Sequence, residues 1–292
     1  MSVMMKKSMS GLRTYLAIIV SLVAALTCGL ARAEAALGMV LDVQGNGKME
    51  VNGTISKLQL LAYLQPKMQI TLDPGAKASL SLYATRSVYQ LTGPATVSIE
   101  KDGVTSLQGQ KAIVRPMAEK LVRAAETSNV IAGAVRMRQV PPRIVGLTPE
   151  NNSLLLGQRP GFSWISAEAA EFVISISDMD EKLIVSEKTK ENNWQLPEKI
   201  KLEEGTTYRW QVAYVSPKDG KTYTARAEFK MASKAEATSL NELKPEDNAG
   251  VEDWVMYAAM LQSKRAFGEA RQVWQQIARQ RPDLQKLSEA AP

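Results

Sequence analysis

Histidine is absent from all 292 residues, and cysteine occurs once, as Cys28. Histidine is the side chain that changes charge near neutral pH. With cysteine it supplies most zinc ligands and most nucleophile–base pairs. Their scarcity argues against histidine-dependent acid–base catalysis, a zinc centre and a stapling disulfide. Aromatic residues are sparse too, at 6 %. Charge of one sign is also lacking: 36 cations face 30 anions. Four of those cations, Lys6, Lys7, Arg13 and Arg32, fall before residue 34 with no acid among them, so the rest of the chain stands at 32 minus 30, or +2. Such a balance excludes the basic footprint of a nucleic-acid binder.

The main apolar run lies at the start, from Tyr15 to Leu30. Lys6, Lys7 and Arg13 precede it, and the small residues Ala31 and Ala33 flank Arg32 after it. A cationic start, an apolar helix and small residues at the cleavage position form a secretory signal peptide. The reading is a signal over 1–33, cleavage at Ala31–Arg32–Ala33 and Glu34 as the first mature residue. The run is short for a span, which takes roughly 20 apolar residues. Retention as an anchor is one alternative, and lipid attachment at Cys28 another. Ala25-Leu26-Thr27, ahead of Cys28, lacks the leucine-then-small pattern of an attachment box. The expected location is the periplasm, with secretion as the lesser option. No membrane span is expected after cleavage, and no cofactor, since export removes the chain from ATP and nicotinamide.

Residues 34–115 read as short strands. Gly45-Asn46-Gly47 and Asn52-Gly53 supply the positive φ of tight hairpins. Ala78, Leu80 and Leu82 alternate with Ser79, Ser81 and Tyr83, which sends one set to a core and the other outward. Asp73-Pro74-Gly75, Thr92-Gly93-Pro94 and Asp102-Gly103 punctuate the stretch as turns, a spacing that predicts an all-β sandwich or roll. Gly38-Met39-Val40, Gln69-Ile70-Thr71-Leu72, Ala76-Lys77-Ala78-Ser79-Leu80 and Gln90-Leu91-Thr92-Gly93-Pro94 together resemble the FecR-type domain of bacterial envelope proteins. The resemblance covers about residues 36 to 115 and implies a periplasmic β domain. Signalling members of that family carry a cytoplasmic segment before a membrane helix, and only 14 residues stand in that place here. An anti-sigma role is therefore not expected.

Residues 116–143 are predicted as a helical and proline-rich linker. Pro116 suits a helix start, and Val140-Pro141-Pro142-Arg143 stiffens the exit. Its cations Lys120, Arg123, Arg136 and Arg138 are read as a wet surface rather than a phosphate site.

Over 144–232 the pattern is again of strands. Leu202-Glu203-Glu204-Gly205-Thr206-Thr207-Tyr208-Arg209-Trp210-Gln211-Val212 places a turning glycine before Tyr208 and alternating Trp210 and Val212. It resembles the tyrosine corner of immunoglobulin-like and fibronectin type III sandwiches, which implies a Tyr208 hydroxyl bonded back to the preceding turn. Trp164 and Trp210 are expected in the core, whereas Trp194, in a polar stretch, is the candidate exposed ring for sugar stacking. Asp178, Asp180 and Glu181 lack the ligand spacing of a calcium loop and read as a solvated hairpin tip.

After a linker over 233–250, helical spacing returns in 251–284, followed by a tail over 285–292. Trp254, Ala258, Ala270, Trp274 and Pro282 stand where a tetratricopeptide repeat, which this stretch resembles, carries its large, small, small, aromatic and terminating residues. One repeat cannot bury both faces. The spare face must pack on a sandwich, pair with another copy or dock a partner, and Glu252, Val255, Ala259 and Gln262 would line it.

The expected fold is thus mainly β, two sandwich or roll domains in tandem with a C-terminal helical hairpin. The expected function is a non-catalytic envelope scaffold, with an envelope protein or a second copy as partner. A polysaccharide- or peptidoglycan-binding protein, with cell-wall glycan as ligand, is the first alternative. A carboxylate-based hydrolase is the second; acid pairs exist, but none sits at a strand end in a cleft pattern, and Ser153 lies in a turn without a lysine base. No catalytic, metal or cofactor residue is assigned.

Overall fold

The computed structural model describes residues 36–117, 121 and 143–285. Ala31, Ala33 and Glu34 lie outside the described residues, as do Lys120, Arg123, Arg136 and Arg138. The protein is mainly β, with two pairs of sheets followed by helices.

The first region holds ten strands: β1 (Gly38–Gln44), β2 (Gly47–Val51), β3 (Thr54–Lys57), β4 (Tyr63–Leu64), β5 (Gln69–Leu72), β6 (Lys77–Leu82), β7 (Ser87–Thr92), β8 (Ala95–Glu100), β9 (Gly103–Gly109) and β10 (Ile113–Pro116). They form two antiparallel sheets, ordered β10-β7-β6-β1-β4 and β3-β2-β5-β8-β9. The four segments that carry the FecR resemblance fall on β1, β5, β6 and β7 with their flanking turns. Val40, Leu64, Ile70, Leu72, Leu80, Val97 and Ile99 fill the space between the sheets, a core built from aliphatic chains. Gly38 allows β1 and β6 to approach: a Cβ there would lie 1.7 Å from the Ser81 carbonyl oxygen.

The alternation predicted for β6 holds, but its outer set is not exposed. Ser79 and Ser81 are as buried as Leu80 and Leu82. Hairpin prediction from local turns cannot reveal a cover contributed by chain 170 residues away, and here the cover is helical.

The second region runs β11 (Ile144–Thr148), β12 (Ser153–Leu155), β13 (Gly161–Ser166), β14 (Phe172–Asp178), β15 (Leu183–Thr189), β16 (Asn193–Gln195), β17 (Thr207–Val215) and β18 (Thr222–Met231). One sheet has the order β11-β13-β16, the other β12-β18-β17-β14-β15. Consecutive strands β13 and β14 lie in opposite sheets, as do β15 and β16 and then β16 and β17, the crossing pattern of immunoglobulin-like sandwiches. Its core is aromatic. Phe162 meets Trp210 and Phe229 edge-on at 5.1 and 5.6 Å, and Trp164 meets Phe172 at 5.3 Å. The Trp210 indole donates to the Pro149 carbonyl at 3.1 Å. The tyrosine corner is present: the Glu203 backbone N–H donates to the Tyr208 hydroxyl at 2.8 Å.

Three helices follow, α1 (Lys234–Glu242), α2 (Val251–Ser263) and α3 (Phe267–Gln280), then a short 3-10 turn over Pro282–Leu284. The stretch 233–250, expected as a linker, contains α1. Ser233 and Glu236 close a capping box at its start, each side chain satisfying the other residue's backbone N–H. Seven of the thirteen residues of α2 are buried, on all sides of the helix. That is the pattern of a helix enclosed by its surroundings rather than laid on a surface. Ala258 and Ala270 are fully buried beside Trp254 and Trp274, which permits the close approach of α2 and α3.

Candidate functional site at the seat of the helical hairpin

The largest cluster of buried residues outside the two sandwich cores joins the helices to strands of both β regions. From the first region it takes Leu41, Val88 and Met117; Leu154 and Leu156 of the second pack against it. The α2–α3 hairpin therefore has neighbours on both flanks.

The seat on the first region is shaped by an irregularity in β1. Val40 pairs with Leu80 and Asp42 with Ser79, which leaves Leu41 as an extra residue opposite a single step of β6. A β-bulge of this kind re-aims side chains. Val40 still enters the sandwich core, while Leu41 joins the helical cluster. Its neighbour Asp42 meets the end of the hairpin: Arg281 Nη1 donates to Asp42 Oδ1 at 2.8 Å, and Gln44 Nε2 donates to Oδ2 at 2.9 Å. Asp283 holds the other side of the same guanidinium at 2.8 Å. The hydrogen bonds that Arg281 donates to Asp283, then the one it donates to Asp42, keep its pKa above the ordinary value against the opposing effect of burial.

At the start of α2 the contact is carboxylate to polar strand. Ser79 Oγ and Gln90 Nε2 donate to Glu252 Oε1 at 3.0 and 3.2 Å, and Arg115 Nη2 lies 3.5 Å from Oε2. Burial pushes the Glu252 carboxyl up, but its own backbone N–H, Ser79, Arg115 and Gln90 outweigh that and hold it below its ordinary value. Asp253 moves the other way. Burial, reinforced by the charge of Glu252, raises it, and Arg115 at 3.8 Å compensates only in part. The two acids also sit in the first turn of α2, where the helix dipole favours negative charge.

On the opposite flank the hairpin is tied to β12 and the turn before it. The Leu154 N–H donates to the Arg265 carbonyl at 2.8 Å, and the Leu156 N–H to Glu269 Oε1 at 3.3 Å. Arg271 pairs with Glu150.

The residues expected to take a partner are thus placed unequally. Val255 is fully buried and Glu252 is spent on the first β region, so neither is open to another molecule. Ala259 and Gln262 are partly exposed. Reading helix faces from a repeat template identified the surface that needs a cover, but the cover is intramolecular. Trp194 is half-buried rather than exposed: its ring lies 5.5 Å from Phe162, and its indole donates to Glu187 at 3.0 Å. Trp164 and Trp210 are in the core. Asp178 caps its own turn by accepting from the N–H groups of Asp180 and Lys182 at 3.0 and 2.9 Å, and Glu181 lies 3.7 Å from Arg209. No cluster of metal-ligating side chains occurs among the described residues. No helix among them is long and apolar enough to cross a membrane.

Sequence reading missed Asp42, Arg115, Glu150, Arg271 and Arg281. One signal was available. Asp42 interrupts the apolar run Val40-Leu41-Asp42-Val43, and a carboxylate at the centre of a strand implies a partner. Nothing local points from Asp42 to Arg281.

A second polar joint fixes the entry to the second region. Glu168 is buried, accepting from Arg143 Nη1 at 2.6 Å and from Ser216 Oγ at 2.7 Å. Arg143 also lies 4.9 Å above the Tyr223 ring, a cation–π contact.

No protein-family model matches the chain, and no curated protein matches it. Among solved structures, the fibronectin(III)-like modules of Clostridium thermocellum CbhA match at 10 % identity and a TM-score of 0.23, over 76 % of this chain and 88 % of that one. The N-terminal four Ig domains of Dscam1 isoform 4.44 match at 14 % identity and a TM-score of 0.20, over 70 % of this chain and 45 % of that one. A beta-1,2-glucanase from Parabacteroides distasonis matches at 11 % identity and a TM-score of 0.21, over 84 % and 49 %. At such scores the immunoglobulin-like assignment rests on the strand order and the tyrosine corner described above.

Proposed function

We propose that this protein is a non-catalytic scaffold of the bacterial cell envelope, exported to the periplasm through residues 1–33. It would present two β-sandwich modules, the first of the FecR type, to an envelope protein or to a second copy. The observation that carries the reading is where the buried and partly buried carboxylates are used. Asp42, Glu168 and Glu252 each join one structural element to another, through Arg281, Arg143 with Ser216, and Arg115 with Ser79 and Gln90. Carboxylates arranged for catalysis converge instead on a shared space where a substrate can sit. The helical hairpin supports the same reading, because it fastens two modules together. Glycan stacking by Trp194 loses support from its half-buried, hydrogen-bonded ring.

The test combines export with activity. N-terminal sequencing of envelope material should begin at Glu34. The purified mature protein should leave peptidoglycan and short glycans intact while binding one envelope protein, or itself, at fixed stoichiometry. Material that still begins at Met1 in the cytoplasm, or that releases glycan fragments, would contradict the proposal.

A further inference from the structure

We infer that the α2–α3 hairpin is an intramolecular strap that sets the pose of one β region against the other, and that the Asp42–Arg281 pair is its latch. The inference rests on the geometry of the joint and not on export or on any partner.

Three observations carry it. The hairpin is tied on both flanks: to the first region through Glu252 and Arg281, to the second through Arg265, Glu269 and Arg271. The ties lie at both ends of the hairpin, those to the first region at its open end, in the first turn of α2 and just beyond α3, and those to the second at the α2–α3 turn and the start of α3, so it cannot pivot about a single point. The bulge in β1 brings an apolar and a charged side chain together at the seat, Leu41 into the cluster and Asp42 onto Arg281. Both side chains of the pair are largely covered, at 16 % and 9 % exposure. Breaking such a pair leaves one charge without its partner, which is costly, whereas an exposed pair is worth little.

The strap is also a cover. Leu41 and Val88 on the first region and Trp254 and Val255 on α2 bury one another's apolar surface. Opening the latch exposes both halves to water, so the open form acquires an apolar strip that the closed form lacks.

The experiment measures the distance between spin labels at Thr105→Cys in β9 and Thr222→Cys in β18, both exposed positions. A Cys28→Ser background leaves the labels as the only thiols. The parent chain should give one narrow distance distribution and little binding of a hydrophobic dye. Arg281→Ala should broaden the distribution and raise dye fluorescence several-fold, with strand content unchanged by circular dichroism. The charge-reversed pair Asp42→Arg with Arg281→Asp, in a chain that also carries Asp283→Asn so that the new carboxylate meets no like charge, should restore the narrow distribution. An Arg281→Ala chain with the parent distribution and parent dye signal overturns the latch. If that variant fails to fold, the charge-reversed chain decides: a folded, narrow distribution supports the latch, and a broad one or a second failure to fold overturns it. Val255→Asp, which places a charge in the seat itself, must also broaden the distribution. If it does not, the strap is overturned.

Discussion

The two β regions solve the same packing problem with different material. The second closes on an aromatic core, with Phe162 edge-on to Trp210 and Phe229, Trp164 edge-on to Phe172, and Trp164 tilted against Trp210. The first closes on aliphatic chains, with Tyr89 at its margin, and then presents a second apolar surface, Leu41 and Val88, on the outer side of one sheet. A few large rings bury much area each and can complete a core alone. A sheet apolar on both faces needs a second layer. The core of the second region is thus closed within itself, while the first is completed by the C-terminal helices.

The largest effect should come from the centre of the self-contained region. Trp210 is fully buried and tied to the Pro149 carbonyl, so Trp210→Ala should cost about 3–5 kcal/mol, the usual range for emptying a ring from a core. Denaturant melts read by near-ultraviolet circular dichroism check it. A shift under ~1 kcal/mol would show that the second region does not depend on its aromatic core, since typical surface changes fall within about half that.

A smaller effect is expected at the tyrosine corner. Tyr208→Phe removes the acceptor of the Glu203 N–H and should cost about 0.5–1.5 kcal/mol, with Tyr208→Ala costing more because it also opens a cavity. Equal melting curves for the wild type and the alanine variant would remove the corner from the account.

The smallest effect concerns α1, at the margin of the helical layer. The hydrogen bond from Lys230, and then those from Ser233, pull the Glu236 carboxyl down from 4.5 to about 2. A depressed folded pKa means the stabilisation is present above the unfolded value and is lost as pH falls through the folded one. The window is therefore roughly pH 4.5 down to 2. Because the group and its lysine are both substantially exposed, the effect should be well under ~1 kcal/mol. Protection of the Lys234 to Ala237 amides, taken relative to the intrinsic exchange rate at each pH, should fall as pH drops through that window in the wild type and be flat in Glu236→Gln. The same pH dependence in both proteins would assign it to another group.

The strand character of both regions was legible because period-two alternation and turn residues are local. Tyr208, Trp210 and Val212 lie within five residues and announce their own role. The hairpin was legible for the same reason, down to the pairing of small residues Ala258 and Ala270. What was not legible is where its faces go. Glu252 meets Ser79 and Gln90 across 173 and 162 residues, and Arg281 meets Asp42 across 239. No periodicity encodes such distances. The helix α1 was legible in principle, since Ser233-Lys234-Ala235-Glu236 spells a capping box, but its polar composition resembles a linker.

That the first region leans on the helical hairpin while the aromatic core of the second closes without it can be checked by amide hydrogen exchange on the full chain carrying Val255→Asp. Local opening reports the stability of each element separately. β1, β7 and α2 should lose most of their protection while β13, β14 and β17 keep that of the wild type. Unchanged protection of β1 and β7 in a folded variant, or equal losses in both regions, would contradict it.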